Sequence, residues 1–262
     1  MHLSYRQTFA TVGVACLCIA GFCGLQLPQM QRLSRSQQNI SLEALNTELK
    51  HESLRLKFFR KVPAFSFDNL LANWVYLNYL QYFGDDASRD KTGYALSPEY
   101  FEIIIKHDPR FLDSYVALST STGMFAGMPE KSINLMQQGL KSLSPQVPKR
   151  SYYVWRQKGT DELLFLGNSQ SAKKSFSQAA NWASQHQDEE SQQISNMSRS
   201  TAEFLERNPN SKFAQIATWA MVLNSSMDSR AKRRAIKAIE SLGGKVTPNP
   251  DGTNKIKLPQ QD

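Results

Sequence analysis

The sequence predicts an all-α chain: an array of antiparallel helical hairpins behind one N-terminal hydrophobic segment, closed by a short irregular or hairpin tail. Three observations predict it. Apolar residues recur at helical spacing along the body, and strand-like alternation is confined to the last stretch. Large and small residues repeat 40 positions apart. Residues 9–27 carry no charge.

The uncharged stretch comes first in the chain. It is about long enough to span a bilayer as a helix, which takes roughly 20 residues. Arg6 precedes it, Pro28 follows, and Arg32 and Arg35 lie beyond. A signal anchor is the favoured reading. A cleaved signal peptide competes, with Gly21 and Cys23 as the small residues before the cut, and so does a lipoprotein signal. A buried core helix is the bland alternative. The arginine count is nearly balanced across the segment, so the positive-inside rule decides little. Export is the usual outcome for a short N-terminal tail, which places the body on the exported (periplasmic or lumenal) side.

The organisation that follows is a short tail (1–8), the anchor (9–27), a linker (28–40), a helical domain (41–243) and a C-terminal tail (244–262). With 262 residues, 40% of them hydrophobic, the body has enough apolar material for a sizeable core. A mean hydropathy of −0.46 excludes a polytopic membrane protein. The net charge of +8 favours anionic partners without choosing among them. All three cysteines (Cys16, Cys18, Cys23) lie in the first hydrophobic stretch. The body therefore has no disulfide framework, no cysteine zinc site and no cysteine nucleophile.

Along the body, Leu42, Leu45, Leu49, Leu56 and Phe59 form one helical stripe that Pro63 ends. Ser66 is placed to cap an aromatic-rich helix over 67–83, with 85–92 as a polar loop. Ser97-Pro98-Glu99 reads as N-cap, first turn and acidic complement to the helix dipole. Further helices are expected over 111–125, 129–143, 149–166, 169–185, 189–207, 211–225 and 229–242. Gly127, Pro145, Gly167, Pro209 and Gly243 mark the breaks. Alternation around Asp251-Gly252 suggests a small terminal hairpin. No glycine-rich phosphate loop appears, and the scarcity of strands excludes the sheet-based nucleotide folds.

The period organises the middle of the chain. Tyr115 and Trp155, Ser119 and Gly159, Gly127 and Gly167, Ser132 and Ala172, Met136 and Phe176, and Gly139 and Ala179 are each 40 apart. Antiparallel helices approach closely only at small residues, and a bulky residue one turn away fills the groove beside them. One hairpin cannot bury its apolar face alone, so such units stack. Trp155, Gly159, Ala172, Phe176 and Ala179 resemble the tetratricopeptide (TPR) motif, with a turn one residue longer than usual. The copy around Ser97, Phe101 and Pro109 keeps the closing proline but has Ile104 where a small residue is usual. The resemblance covers about residues 67–223 and implies a right-handed TPR-like array. The segments 68–74, 80–85, 108–115 and 152–167 are similar to a group of membrane-anchored TPR-like proteins from cyanobacteria. That similarity implies a photosynthetic or envelope setting and brings no reaction.

Chemistry is thin. His2, His51, His107 and His186 are scattered without ligand-spaced partners, so no metal or other cofactor is expected. Asp85, Asp86 and Asp90 lack the spacing of a calcium loop. Asp161 and Glu162 are neighbours on a helix and point about 100° apart, so they do not form a joint acid–base pair. Two surfaces are left as candidates. Trp74, Tyr79, Tyr82, Tyr152 and Trp155 are read either as core or as a groove gripping a protein partner. Arg230, Lys232, Arg233, Arg234 and Lys237 form a face opposite the stripe Ile236, Ile239 and Leu242. It is a solvated face or a site for anionic lipid or an acidic partner; aromatics are not interleaved, which disfavours nucleic acid. The expected function is a non-enzymatic, membrane-anchored scaffold that binds a partner protein and assists assembly or maintenance of a membrane complex. The alternative is a binding module for anionic lipid or nucleic acid through residues 230–237.

Overall fold

The computed structural model describes residues 41–209, 211–225, 229–249 and 254–260. The expected anchor 9–27, its flanks 1–8 and 28–40, and the side chain of Arg230 lie outside the described residues. No described helix is long and apolar enough to cross a membrane.

The described chain is mostly helical. Its helices are α1 (Leu42–Lys61), α2 (Asp68–Gly84), α3 (Asp86–Thr92), α4 (Ser97–His107) and α5 (Asp113–Leu118). After α5 the helix widens into a π-helical stretch, Ser119–Phe125, in which the Ala126 amide reaches back five residues to the Ser121 carbonyl. The chain continues as α6 (Pro129–Leu140), α7 (Tyr152–Leu164), α8 (Ser169–Ala183), α9 (Glu189–Arg207), α10 (Lys212–Ser225) and α11 (Ser229–Ser241). Strands β1 (Lys245–Pro248) and β2 (Asn254–Lys257) form the terminal hairpin, with Val246 opposite Ile256.

Most boundaries follow from local chemistry. Ser41 caps α1 by accepting from the Ala44 amide, Asn168 caps α8 and Asp188 caps α9 in the same way. Three local readings change. Residues 86–92 form helix α3 rather than a loop, because Asp85 accepts from the Ser88 amide and starts a turn. Ser66 does not cap α2; the N-cap position falls to Phe67, and Ser66 stands in the left-handed region at φ 72°. Ser97 is the first residue of α4 instead of its cap, and its hydroxyl is buried without a partner among the described residues.

The packing runs in sequence order. α2 lies along α4, α4 contacts α6, α6 packs on the π-helical stretch and α7, α7 packs on α8, and α8 on α9. Hydrogen bonds between elements cluster near the 40-residue separation. His107 Nδ1 pairs with Asp68 (2.7 Å), Ser119 donates to Asp161 (2.7 Å), Gln157 donates to Ser119 (2.8 Å), and His186 Nε2 lies 2.8 Å from the Pro145 carbonyl. Tyr152 and Ser191 hydroxyls lie 3.0 Å apart, and Arg156 donates to Ser198 (3.2 Å). The order then breaks. α10 packs on α7 and α11 on α10, and Ile216, Trp219, Leu223, Ala235 and Ile239 bury against Leu164. The main core gathers Tyr79, Tyr100, Phe101, Ile104, Tyr115, Leu118 and Met136.

Candidate functional site

The five aromatic candidates separate by burial. Tyr79, Tyr82 and Tyr152 lie inside, at 2%, 8% and 0% exposure. Tyr79 sits edge-on to Phe101 at 4.6 Å between ring centres. Tyr82 has the Arg89 guanidinium over its ring at 4.1 Å, and its hydroxyl accepts from the Leu96 amide. Tyr152 is held by Ser191. Trp155 is half-buried against Trp182, with its indole N–H lacking an acceptor among the described residues. These four rings hold helices together, so a groove built from all five is not present as a surface. Trp74 alone of the five is well exposed, at 55%.

Trp74 belongs to a face that periodicity alone does not single out. On α2, Leu70, Trp74 and Leu77 stand outward at steps of four and three, each more than half exposed. The opposite side of α2, with Ala72, Val75, Tyr79 and Tyr82, is buried. α2 carries large apolar residues on both faces, with Asn69, Asn73, Asn78 and Gln81 set between them, and its only charged residue is Asp68. A helix of that kind ordinarily lies in an interior, and isolated soluble chains seldom leave such a stripe bare. The available signal was the near absence of charge from 17 residues.

The basic helix α11 also divides. Lys232, Arg233 and Lys237 are exposed, as expected for the side opposite buried Ala235 and Ile239. Arg234, exposed over part of its surface like these, also donates to the Met124 carbonyl at the end of the π-helical stretch, and desolvation lowers its pKa. It therefore ties α11 to the array.

A third feature is polar and internal. Asp161 is fully buried on α7. Its Oδ1 accepts from Ser119 (2.7 Å) and Gln157 (3.2 Å), and its Oδ2 from Ser132 (3.4 Å). Burial pushes its carboxyl up to about 7, against the opposing pull of those three donors. Glu162, one residue on, belongs to a separate cluster. It takes Lys158 at 2.5 Å and the Ser175 hydroxyl at 2.6 Å. The two carboxylates have separate partners, and both are buried. Asp161 also lines a half-open cleft of about 330 Å³ with Phe83, Phe125, Gln157, Phe165 and Val222. It is the only titratable side chain among the described residues lining that cleft. Among the described residues no cluster of three or more His, Cys, Asp or Glu is arranged to hold a metal ion.

No family model matches this chain, and neither a curated protein nor a solved structure does.

Proposed function

We propose that the chain is a non-enzymatic scaffold whose TPR-like helical array, tethered through residues 9–27, holds a partner protein beside a membrane. The observation that carries this reading is the bare apolar stripe Leu70, Trp74 and Leu77 on α2. Its spacing suits an apolar helix of a partner laid alongside, with Trp74 as the anchor. The inward side of α2 packs on α4, so the stripe sits on a supported element rather than on a loose one. The uncharged stretch and an exported body together suit a role in assembling or maintaining a membrane complex.

The test is affinity purification of the tagged full-length chain from gently solubilised membranes, beside Trp74→Ala/Leu77→Ser. Both positions are exposed, so the variant keeps its helical circular dichroism. Stoichiometric recovery of one membrane complex with the wild type, lost in the variant, is the expected outcome. Recovery of the bare chain from both, or of lipid and nucleic acid released by salt, sinks the scaffold reading and moves attention to Lys232, Arg233 and Lys237.

A further inference from the structure

The end of α1 and the turn after it carry a second exposed set, which adjoins the α2 stripe at Phe67. Leu54 and Phe58, one helical turn apart, are 61% and 64% exposed; Phe65 and Phe67 are 78% and 66% exposed. Phe65 is the most exposed large hydrophobic side chain of the described residues. Its backbone adds to the anomaly. Phe65 and Ser66 both stand at positive φ (47° and 72°), a region that costs non-glycine residues of order 1 kcal/mol or more each. The Phe67 amide closes the turn on the Ala64 carbonyl at 2.7 Å. A strained turn is thus held in place, and it displays two phenylalanines to the outside instead of tucking them in.

Within residues 53–67 the charges have one sign, and the carboxylates that border this stretch, Glu52, Asp68, Glu99 and Glu102, are engaged with Arg55, His107 and Arg60. Residues 53–67 contain no Asp or Glu, and they contain Arg55, Lys57, Arg60 and Lys61. Arg55 is paired with Glu52 (2.7 Å) and Arg60 with Glu102 (2.6 Å). Lys57 and Lys61 are exposed and have no ion pair among the described residues. Aromatic rings set between free lysines are the composition of a membrane–water interface, where rings enter the headgroup layer and amines meet anionic lipid. A protein groove would more often answer such a corner with acidic residues and a defined pocket.

Chain length allows the contact. Residues 28–41 separate the uncharged stretch from α1 and reach up to about 46 Å when extended. α1 has 20 residues and is about 30 Å long. A body tethered at residue 27 can therefore lay α1 along the bilayer with its far end touching.

We propose that Leu54, Phe58, Phe65 and Phe67, flanked by Lys57 and Lys61, form an interfacial foot that enters the headgroup region of an anionic bilayer. This rests on the reading of residues 9–27 as an anchor in the same membrane. The foot fixes the height and tilt of the body, and so presents the neighbouring α2 stripe to a partner at membrane level.

The test uses the full chain with Cys16, Cys18 and Cys23 changed to alanine, and an environment-sensitive fluorophore on a single new cysteine. One version carries Ser66→Cys in the strained turn; the reference carries Asn181→Cys, exposed on α8. Each is reconstituted into phosphatidylcholine vesicles with or without phosphatidylglycerol, and the label is quenched by lipids bearing spin labels near the headgroup. In anionic vesicles, quenching at position 66 is expected to exceed that at 181 by about threefold or more. Phe65→Ser/Phe67→Ser, made in the Ser66→Cys chain, abolishes the difference while the protein still floats with the vesicles and resists carbonate extraction. Equal, weak quenching at 66 and 181 in a carbonate-resistant protein overturns the foot and leaves the anchor standing. Release by carbonate overturns the anchor, and strong quenching at 66 before release then supports the foot by itself. Equal quenching at 66 in neutral and anionic vesicles removes Lys57 and Lys61 from the proposal.

Discussion

The two successive hairpins, α5 with its π-helical extension and α6, and then α7 with α8, solve the same close approach in opposite ways. In the first, the small residue is on the second helix. A Cβ on Gly139 would run first into the hydroxyl oxygen of Tyr115 and then into its ring carbons at 2.7–2.8 Å. In the second, the small residue is on the first helix. A Cβ on Gly159 would meet Phe176 at 3.1 Å and Ser175 at 3.2 Å. The aromatic ring thus fills the hole from the first helix in one copy and from the second helix in the other. The residues 40 apart on the first helices differ in kind as well. Leu118, Ser121 and Thr122 stand where the second copy has Lys158, Asp161 and Glu162, and all six are buried. One register therefore tolerates either an apolar and hydroxyl layer or a charged one, provided that every polar group of the charged layer finds a partner.

The largest effect is expected from breaking the charged layer on one side only. Lys158→Leu leaves Glu162 buried with the Ser175 hydroxyl alone, a loss of about 3–5 kcal/mol in chemical denaturation followed by circular dichroism. Glu162→Thr strands Lys158 with a similar loss. The double change Lys158→Leu/Glu162→Thr gives the second copy the residues of the first, and it is expected to recover most of that stability. A double variant as damaged as the singles would show that the two copies do not share a register at these positions.

Asp161 comes next, because it bridges the copies through Ser119 and Ser132. Its carboxyl titrates near 7 in the fold against an ordinary 3.8. A raised folded value means that the native state holds the proton more tightly. The stabilising contribution is full below pH 4 and is lost as pH rises towards 7. Asp161→Asn keeps the shape and cannot ionise. Between pH 4 and 8 the wild type is expected to lose about 2–4 kcal/mol relative to the variant, read from denaturation midpoints across that range. Parallel profiles for the two proteins would mean that the carboxylate stays charged at no cost.

A smaller loss, about 1–2 kcal/mol, is expected for Gly139→Ala. Overpacking against Tyr115 outweighs the better helix propensity of alanine. Tyr115 is held by its hydroxyl on the Pro109 carbonyl at 2.7 Å, so its ring has little freedom to yield. Tyr115→Phe removes that tether and, with it, the oxygen that lies nearest the new methyl group. In a double-mutant cycle the pair is expected to couple, with Gly139→Ala costing less in the Tyr115→Phe background.

Residue spacing made the existence of both hairpins legible, because large and small residues at steps of three, four and 40 depend on packing distance alone. The terminal hairpin was legible from alternation. The π-helical turn was not: Ser119 to Gly123 is poor in helix formers, which signals a weak helix but not its winding. Nor was the exchange of roles between Tyr115 and Phe176, since both arrangements give the same list of sizes. The candidate groove was misplaced for a related reason. Tyr and Trp carry a polar tip that serves equally well inside, as Tyr152 does with Ser191, or outside. The exposed stripe of α2 was obscured because both faces of that helix carry large apolar residues, so periodicity had no contrast to report.

The smallest effect sharpens the comparison most, because its sign is at stake. Gly159→Ala gains up to about 1 kcal/mol of helix propensity on α7. Against that, the new methyl group sits 3.1 Å from the Phe176 ring, tighter than an ordinary contact by a few tenths of an ångström. Phe176 is buried as Tyr115 is, but it has no hydroxyl to tether it, so its ring is freer to turn. The net change is expected to lie within about 1 kcal/mol of zero and on the stabilising side. Phe176→Leu, which shortens the opposing side chain, should make the gain from alanine larger. A loss as large as that of Gly139→Ala would show that the second hairpin is locked as tightly as the first, and that a tethered ring is not what makes the first copy intolerant.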